Sequence, residues 1–109
     1  MSILNELKGL TALVYTILDG YPQTRNSDGL LWLKVLESQA HEKGVDLRLL
    51  SVPYFLPRIA EMGFSPFESV RRTRQKLQAA YPHLAASEAV EAFRAENELQ
   101  YRAFAGSDI

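Results

Sequence analysis

The chain has 109 residues, of which 47% are hydrophobic, and a formal net charge of -1 at pH 7. This size and composition predict one globular domain over residues 1–109, small enough to gain stability from a partner. The absence of cysteine excludes disulfides, thiolate metal sites and a catalytic thiol, and it suits a reducing compartment. We recognise no signal peptide and no membrane-spanning run, so we expect a cytoplasmic protein with no membrane partner.

The charge is unevenly distributed along the chain. Residues 65–82 contain four basic residues and one acidic residue, whereas residues 83–109 contain two basic and five acidic residues. Residues 1–64 are nearly neutral. A short cationic segment in such a chain suggests an anionic partner, although it says nothing about the fold.

The first predicted element is an amphipathic helix over residues 2–19. Ser2 can cap it, and Gly20 ends it because glycine readily adopts the left-handed conformation that closes a helix. The apolar residues recur at spacings of three and four, as one buried face requires: Leu4, Leu7, Leu10 or Thr11, Val14 and Leu18.

A second helix is predicted from about Asp28 to Lys43, ending at Gly44. Its first half is apolar on nearly every side, so we expect it at the centre of the core. A polar loop over residues 21–29 precedes it, and three side chains of that loop compete to cap the helix: Asn26, Ser27 and Asp28.

Residues 45–49 alternate between apolar and polar with period two, which fits a short strand or an extended connector. Five residues cannot form a sheet alone, so a connector is favoured over a small β-wing. The fold class predicted is therefore all-α, or mainly α with a minimal β-wing. We expect about five helices, two of them forming a helix–turn–helix at about residues 54–80.

The first helix of this helix–turn–helix is short. Pro57 is tolerated only near a helix start, so the regular part is placed at Tyr54–Met62, with Gly63 ending it. The second helix is predicted from Ser65 to about Ala80.

A capping box is predicted at the start of the second helix. In it, the Ser65 hydroxyl binds the amide of Glu68 and the glutamate side chain returns to the serine amide. Pro66 would occupy the first helical position.

The basic helix can be oriented from its periodicity of about 100° per residue. Phe67, Val70, Thr73 and Leu77 share the predicted core face, and Arg74 lies close to it, where it would snorkel or pair with a carboxylate. The opposite face carries side chains suited to base edges and phosphates. We predict that this face binds double-stranded DNA through Ser69, Arg71, Arg72, Gln75 and Lys76.

Arg25 is a further candidate for contact with a phosphate, because it lies near the free amides of a helix start. The alternative is a structural loop in which Arg25 pairs with a nearby acid while residues 26–28 cap the helix. We predict no enzymatic activity, metal site or cofactor. His41 and His83 are the only histidines, and neither has an acidic or hydroxyl neighbour at a spacing that suggests a relay.

A C-terminal helix is predicted at about residues 87–104. Its apolar stripe is interrupted by Asn97, and its outer face is acidic. The stripe would dock on the chain's own core, on a second copy in a homodimer, or on another protein. The predicted interaction residues are Val90, Phe93, Tyr101 and Phe104.

The chain resembles small uncharacterised proteins encoded by phages and prophages. The likeness lies in Tyr21–Asp28 leading into Leu30 and Leu31, and in Ser65–Gln78, with Arg94, Tyr101 and Arg102 adding to it. It covers about two thirds of the length. The resemblance implies a helix–turn–helix or winged-helix protein of phage regulation or replication. Phage proteins of this size also include inhibitors of host defence, so a small adaptor or inhibitor that binds a host or phage protein is the alternative.

Overall fold

The computed structural model describes the backbone of residues 9–107 and the side chains of residues 9–97 and Leu99. This part of the chain is helical and contains no strand, which confirms the all-α class. None of its helices is both long and apolar enough to cross a membrane. The α-helices are α1 (Gly9–Gly20), α2 (Asp28–Lys43), α3 (Val52–Phe55), α4 (Phe67–Ala80) and α5 (Glu88–Ser107). Short 3-10 turns lie at Pro22–Asn26, Leu47–Leu49, Leu56–Arg58 and Pro82–Leu84.

The first two helices end as predicted. The end of α1 at Gly20 is confirmed, while the predicted cap Ser2 and the apolar residues Leu4 and Leu7 lie outside the described residues. Among the three competing caps of α2, Ser27 prevails, because its Oγ accepts a hydrogen bond from the Leu30 amide at 3.1 Å. Gly44 closes α2 in the left-handed region with a φ of 70°.

The core consists of two apolar clusters on either side of Trp32. The first is enclosed by α1, α2 and α4, and the second lies between the C-terminal half of α2 and residues 55–64. Leu31 and Val35 on α2 are fully buried, but Leu33 is 46% exposed, so α2 is not buried on every side. The first cluster contains Val14, Tyr15, Ile17, Leu18, Leu31, Val35, Val70, Leu77 and Leu84. The second contains Leu36, Ala40, Phe55, Ile59 and Phe64.

The segment after α2 is a connector, as predicted, and not a β-wing. Leu47–Leu49 forms one 3-10 turn, and the Asp46 carboxylate caps it by accepting a hydrogen bond from the Arg48 amide at 3.0 Å. The alternating pattern therefore reflects a half-buried turn.

The predicted regular helix over Tyr54–Met62 is wrong. The α-helical part is the single turn α3, which Ser51 caps with a hydrogen bond from Tyr54, and Leu56–Arg58 continues as a 3-10 turn. Pro57 has no amide hydrogen, so it cannot make the hydrogen bond that an α-helix would need at this point. Gly63 ends the segment, as predicted, with a φ of 80°.

The predicted capping box at Ser65 is also wrong. Ser65 bonds to Gln39 of α2 instead: its Oγ accepts from Gln39 Nε2 at 2.8 Å, and its amide donates to Gln39 Oε1 at 3.0 Å. Helix α4 begins at Phe67, with Pro66 at the N-cap position and no side-chain cap. A partner 26 residues away therefore satisfies both groups that the local motif would have used. The predicted end at Ala80 is confirmed.

Burial in the first cluster should dominate the stability of this domain. Leu18 is fully buried, whereas Leu49 is 81% exposed. Leu18→Ala should lower the free energy of unfolding by about 2–5 kcal/mol through lost transfer energy and the cavity that remains. Leu49→Ala removes the same atoms from the surface and should leave the urea midpoint almost unchanged. Equal losses for the two variants, measured by urea unfolding, would contradict this packing.

Candidate nucleic-acid interface

Helix α4 has the orientation inferred from its periodicity. Val70 and Leu77 are buried at 1% and 3% exposure, and Thr73 is half-buried. Phe67 is an exception on the predicted core face, because it is 37% exposed and meets Trp32 edge to face. On the opposite side of α4, three residues of the predicted contact set are exposed: Arg72, Gln75 and Lys76. They lie within little more than one helical turn.

The two remaining members of the contact set on α4 are less open. Ser69 is half-buried, and its carbonyl accepts a hydrogen bond from the Thr73 hydroxyl at 2.8 Å. Arg71 is also half-buried and forms an ion pair with Glu68 on the same helix. Arg72 approaches the same carboxylate at 3.5 Å while its side chain stays 71% exposed. Glu68 therefore offsets part of the positive charge at the start of α4.

The pairing with Arg71 and Arg72 lowers the pKa of the Glu68 carboxyl. The hydrogen bond from Arg71 is the main cause that holds the pKa of the Glu68 carboxyl below its ordinary value, with smaller Coulombic contributions from Arg71 and Arg72. The carboxylate is ionised at neutral pH and stays on the surface. An incoming phosphate would have to compete with it for both arginines.

Arg74 has the structural role that its position predicted. Its side chain is only 7% exposed, and it binds Asp28 with both Nε and Nη2, at 2.7 and 3.2 Å. Asp28 is the first residue of α2, so this pair joins α4 to α2. A buried guanidinium is tolerated because the carboxylate neutralises it and accepts two of its hydrogens.

A second arginine, from α5, reaches the same carboxylate. Arg94 Nη2 lies 3.6 Å from Asp28 Oδ1, and Arg94 Nη1 donates to the carbonyl of Arg25 at 3.1 Å. Burial, and then repulsion from Arg74, lowers the pKa of Arg94. Two guanidinium groups thus share one carboxylate where α2, α4 and α5 meet.

Arg25 bonds to backbone carbonyls and not to a carboxylate. Its Nε donates to the carbonyl of Leu18 at 2.8 Å and its Nη2 to that of Asp19 at 3.2 Å, both in the last turn of α1. The expected pairing of Arg25 with an acid is therefore wrong, because the free carbonyls of a helix end serve as acceptors. Contact with a phosphate is not tested by this geometry.

A groove of about 1130 Å³ separates α4 from α5. Arg71, Gln75 and Gln78 line its α4 side, and Glu91 and Arg94 line its α5 side. Gln78 also fixes the neighbouring loop, since its Nε2 donates to the carbonyls of Arg25 and Leu84. The lining of the groove includes arginines and carboxylates.

Helix α5 carries apolar residues that the rest of the domain does not cover. Val90 is half-buried, but Phe93 and Leu99 are 64% and 66% exposed. Docking of the predicted stripe on the chain's own core is therefore wrong at Phe93. The side chains of Tyr101 and Phe104 lie outside the described ones. The start of α5 is held by Asn26, whose Oδ1 accepts a hydrogen bond from the Ser87 amide at 2.8 Å.

Two further features have no signal in the local sequence. His83 Nε2 lies 3.1 Å from the Tyr15 hydroxyl and 3.9 Å from Asp19 Oδ1, although the sequence around His83 offers no such neighbour. Residues more than sixty positions apart make this cluster, which no local spacing can reveal. The second feature is a set of exposed apolar residues in the segment that connects α2 to α4: Leu49, Val52, Tyr54 and Leu56.

Comparison of the chain with models of known protein families, with curated proteins and with solved structures gives no match.

The Asp28 pair should be one of the main polar contributors to stability. Asp28→Asn removes the counter-charge of Arg74 and should lower the free energy of unfolding by about 3–5 kcal/mol, since a buried guanidinium then stays uncompensated. The matched control is Asp46→Asn, which disturbs an ion pair with the 89% exposed Arg48. Urea unfolding should leave the control at the parent midpoint. A parent-like midpoint for Asp28→Asn would show that Arg74 is not held as described.

The pairing of Glu68 predicts a pH effect with a definite sign. The pKa of the folded-state carboxyl is depressed, so the stabilisation from its ion pair is present at neutral pH and is lost as the pH falls through that lowered pKa. Arg71→Ala should raise the pKa of Glu68 towards its ordinary value, as followed by NMR titration of the side-chain carboxyl. The distant variant Arg48→Ala should leave it unchanged. A Glu68 pKa that does not respond to Arg71→Ala would contradict the pairing.

Proposed function

We propose that this protein binds nucleic acid, double-stranded DNA in particular, through the outward face of α4. The observation that carries the proposal is the way α4 is held: Val70, Arg74 and Leu77 anchor one side, which leaves Arg72 and Lys76 open to solvent on the other. A helix that enters the major groove needs this combination of a fixed buried face and an open polar face.

Each proposed contact residue has a chemical role. Arg72 has a planar pair of donors that fits a guanine edge, and Gln75 has an amide donor and an amide acceptor that fit an adenine edge. Lys76 supplies a point charge for a phosphate. Contacts with the DNA backbone would come from Ser69, Arg71 and Arg25. Arg71 would first have to break its ion pair with Glu68. Residues 52–80 would act together as a degenerate helix–turn–helix whose first helix is the single turn α3.

The available charge sets an upper limit on affinity. The outward face of α4 offers three cations, Arg71, Arg72 and Lys76, against the carboxylate of Glu68. So few phosphate contacts give weak, salt-sensitive binding, in the range of about 10⁻⁴ to 10⁻⁶ M for non-specific sites. The chain's resemblance to small phage-encoded proteins favours a role in phage regulation or replication.

The proposal predicts a measurable loss on removal of two cations. In a fluorescence-anisotropy titration of a labelled duplex at 50 mM salt, Arg72→Ala/Lys76→Ala should weaken binding at least tenfold. The slope of log K against log salt should become shallower by about one, because the phosphate contact of Lys76 is lost, while the loss of Arg72 removes a base contact.

The matched control for this titration is Arg48→Ala, which removes an exposed cation far from α4 in the sequence and should bind as the parent does. Absence of salt-sensitive binding by the parent, or equal effects of the two variants, would overturn the nucleic-acid proposal.

A second candidate function is a small adaptor or inhibitor that binds a host or phage protein through α5. The exposure of Phe93 and Leu99 favours it, since large apolar side chains left open on one helix are typical of protein-binding surfaces. The same duplex titration separates the two candidates. Adaptor function expects no salt-sensitive binding and no effect of the α4 substitutions.

A further inference from the structure

The two segments of the chain that contain α4 and α5 carry opposite net charges of equal size. Residues 65–82, which contain α4, have a net charge of +3, and residues 83–109, which contain α5, have a net charge of -3. The two helices lie side by side across the groove of about 1130 Å³, with Gln75 on one side and Glu91 on the other. We call α4, α5 and the groove between them the two-helix layer; α4 is its cationic member and α5 its acidic member.

These charges are only partly used within one chain. Arg72 meets Glu68 on its own helix and still has a side chain that is 71% exposed. Lys76 on α4 and Glu88 on α5 are exposed, and neither forms an ion pair within the described part of the chain. Arg94 of α5 points inward and lies 3.6 Å from Asp28 Oδ1.

We propose that this layer pairs with the same layer of a second copy of the chain. A two-fold rotation that turns the two layers face to face places α4 of each copy on α5 of the other. Every cation–carboxylate contact then occurs twice, as in any isologous interface. Phe93 and Leu99 supply apolar area for the centre of the contact.

Lys76 and Glu88 are the pair that tests this arrangement best. Both lie towards the end of the layer where the connector over residues 81–87 joins the helices, so the rotation brings Lys76 of one copy to the α5 start of the other. Glu88 lies in the first turn of α5, where a negative charge interacts favourably with the helix dipole.

The paired state would cover the cations of α4. The dimer then excludes DNA from the face proposed to bind it, and salt or an anionic polymer would release that face. This regulatory consequence rests on the proposed function, whereas the dimer itself does not.

Sedimentation velocity without nucleic acid tests the pairing, at 1–200 µM protein in 50 and 500 mM NaCl. We expect a monomer–dimer equilibrium whose dissociation constant rises at least fivefold between the two salt concentrations. Lys76→Glu and Glu88→Lys should each weaken it at least tenfold, because each creates two like-charge contacts. The control Arg48→Glu makes the same charge change elsewhere and should dimerise as the parent does.

Charge exchange then identifies the contact as one between copies. An equimolar mixture of Lys76→Glu and Glu88→Lys restores both attractive contacts in a heterodimer, so the mixture should recover dimerisation. The double variant Lys76→Glu/Glu88→Lys should recover it too. Circular dichroism melts of every variant verify that each one folds.

Three outcomes would overturn the inference: a monomer at 200 µM in low salt, single variants that dimerise as the parent does, or a mixture that stays monomeric. Rescue by the double variant alone would assign the contact to one chain and not to two. Loss of DNA binding with dimerisation intact would sink only the proposed function, and DNA binding by a strict monomer would sink only the dimer.

Discussion

A guanidinium group that is almost fully buried has to be neutralised where it lies, and Asp28 does this for Arg74 at the start of α2. The arrangement of the other helices depends on that requirement. Because Arg94 reaches the same carboxylate, the pair that joins α2 to α4 also holds α5. The hydrogen bond from the Ser87 amide to Asn26 fixes the start of α5 beside it. Helix α5 is thus placed by polar contacts, which is why Phe93 and Leu99 remain exposed.

The fold was predictable from sequence wherever a local signal had no distant competitor. Gly44 ends α2 and Ala80 ends α4 as expected, since glycine in the left-handed region and the Tyr81-Pro82 pair act through the backbone alone. The capping box predicted at Ser65 is absent because a distant residue competes with it. Gln39, which is brought close by the packing of α2, satisfies the same two groups, and no local pattern encodes that approach.

The candidate site divides in the same way. Helical periodicity was enough to orient α4 and to place Arg74 near its core face, but it could not decide between snorkelling and an ion pair or identify Asp28 as the partner. The contacts of Arg94 with Asp28 and of His83 with Tyr15 cross more than sixty residues of sequence. Contacts of this kind follow from the tertiary fold, so local sequence patterns cannot predict them. The regular helix expected over Tyr54–Met62 does not form, because Pro57 interrupts the helix and does not merely mark its start.

Trp32 lies between the two apolar clusters and packs against both. Its indole donates to the Ser65 carbonyl at 3.0 Å, and its ring meets Phe67 edge to face. It is also the single tryptophan of the chain. Its fluorescence therefore has one source and senses both halves of the core, together with the junction where α4 begins. Loosening of either cluster would change the surroundings of this one fluorophore, so the protein carries an intrinsic optical reporter of the coupling between its two halves.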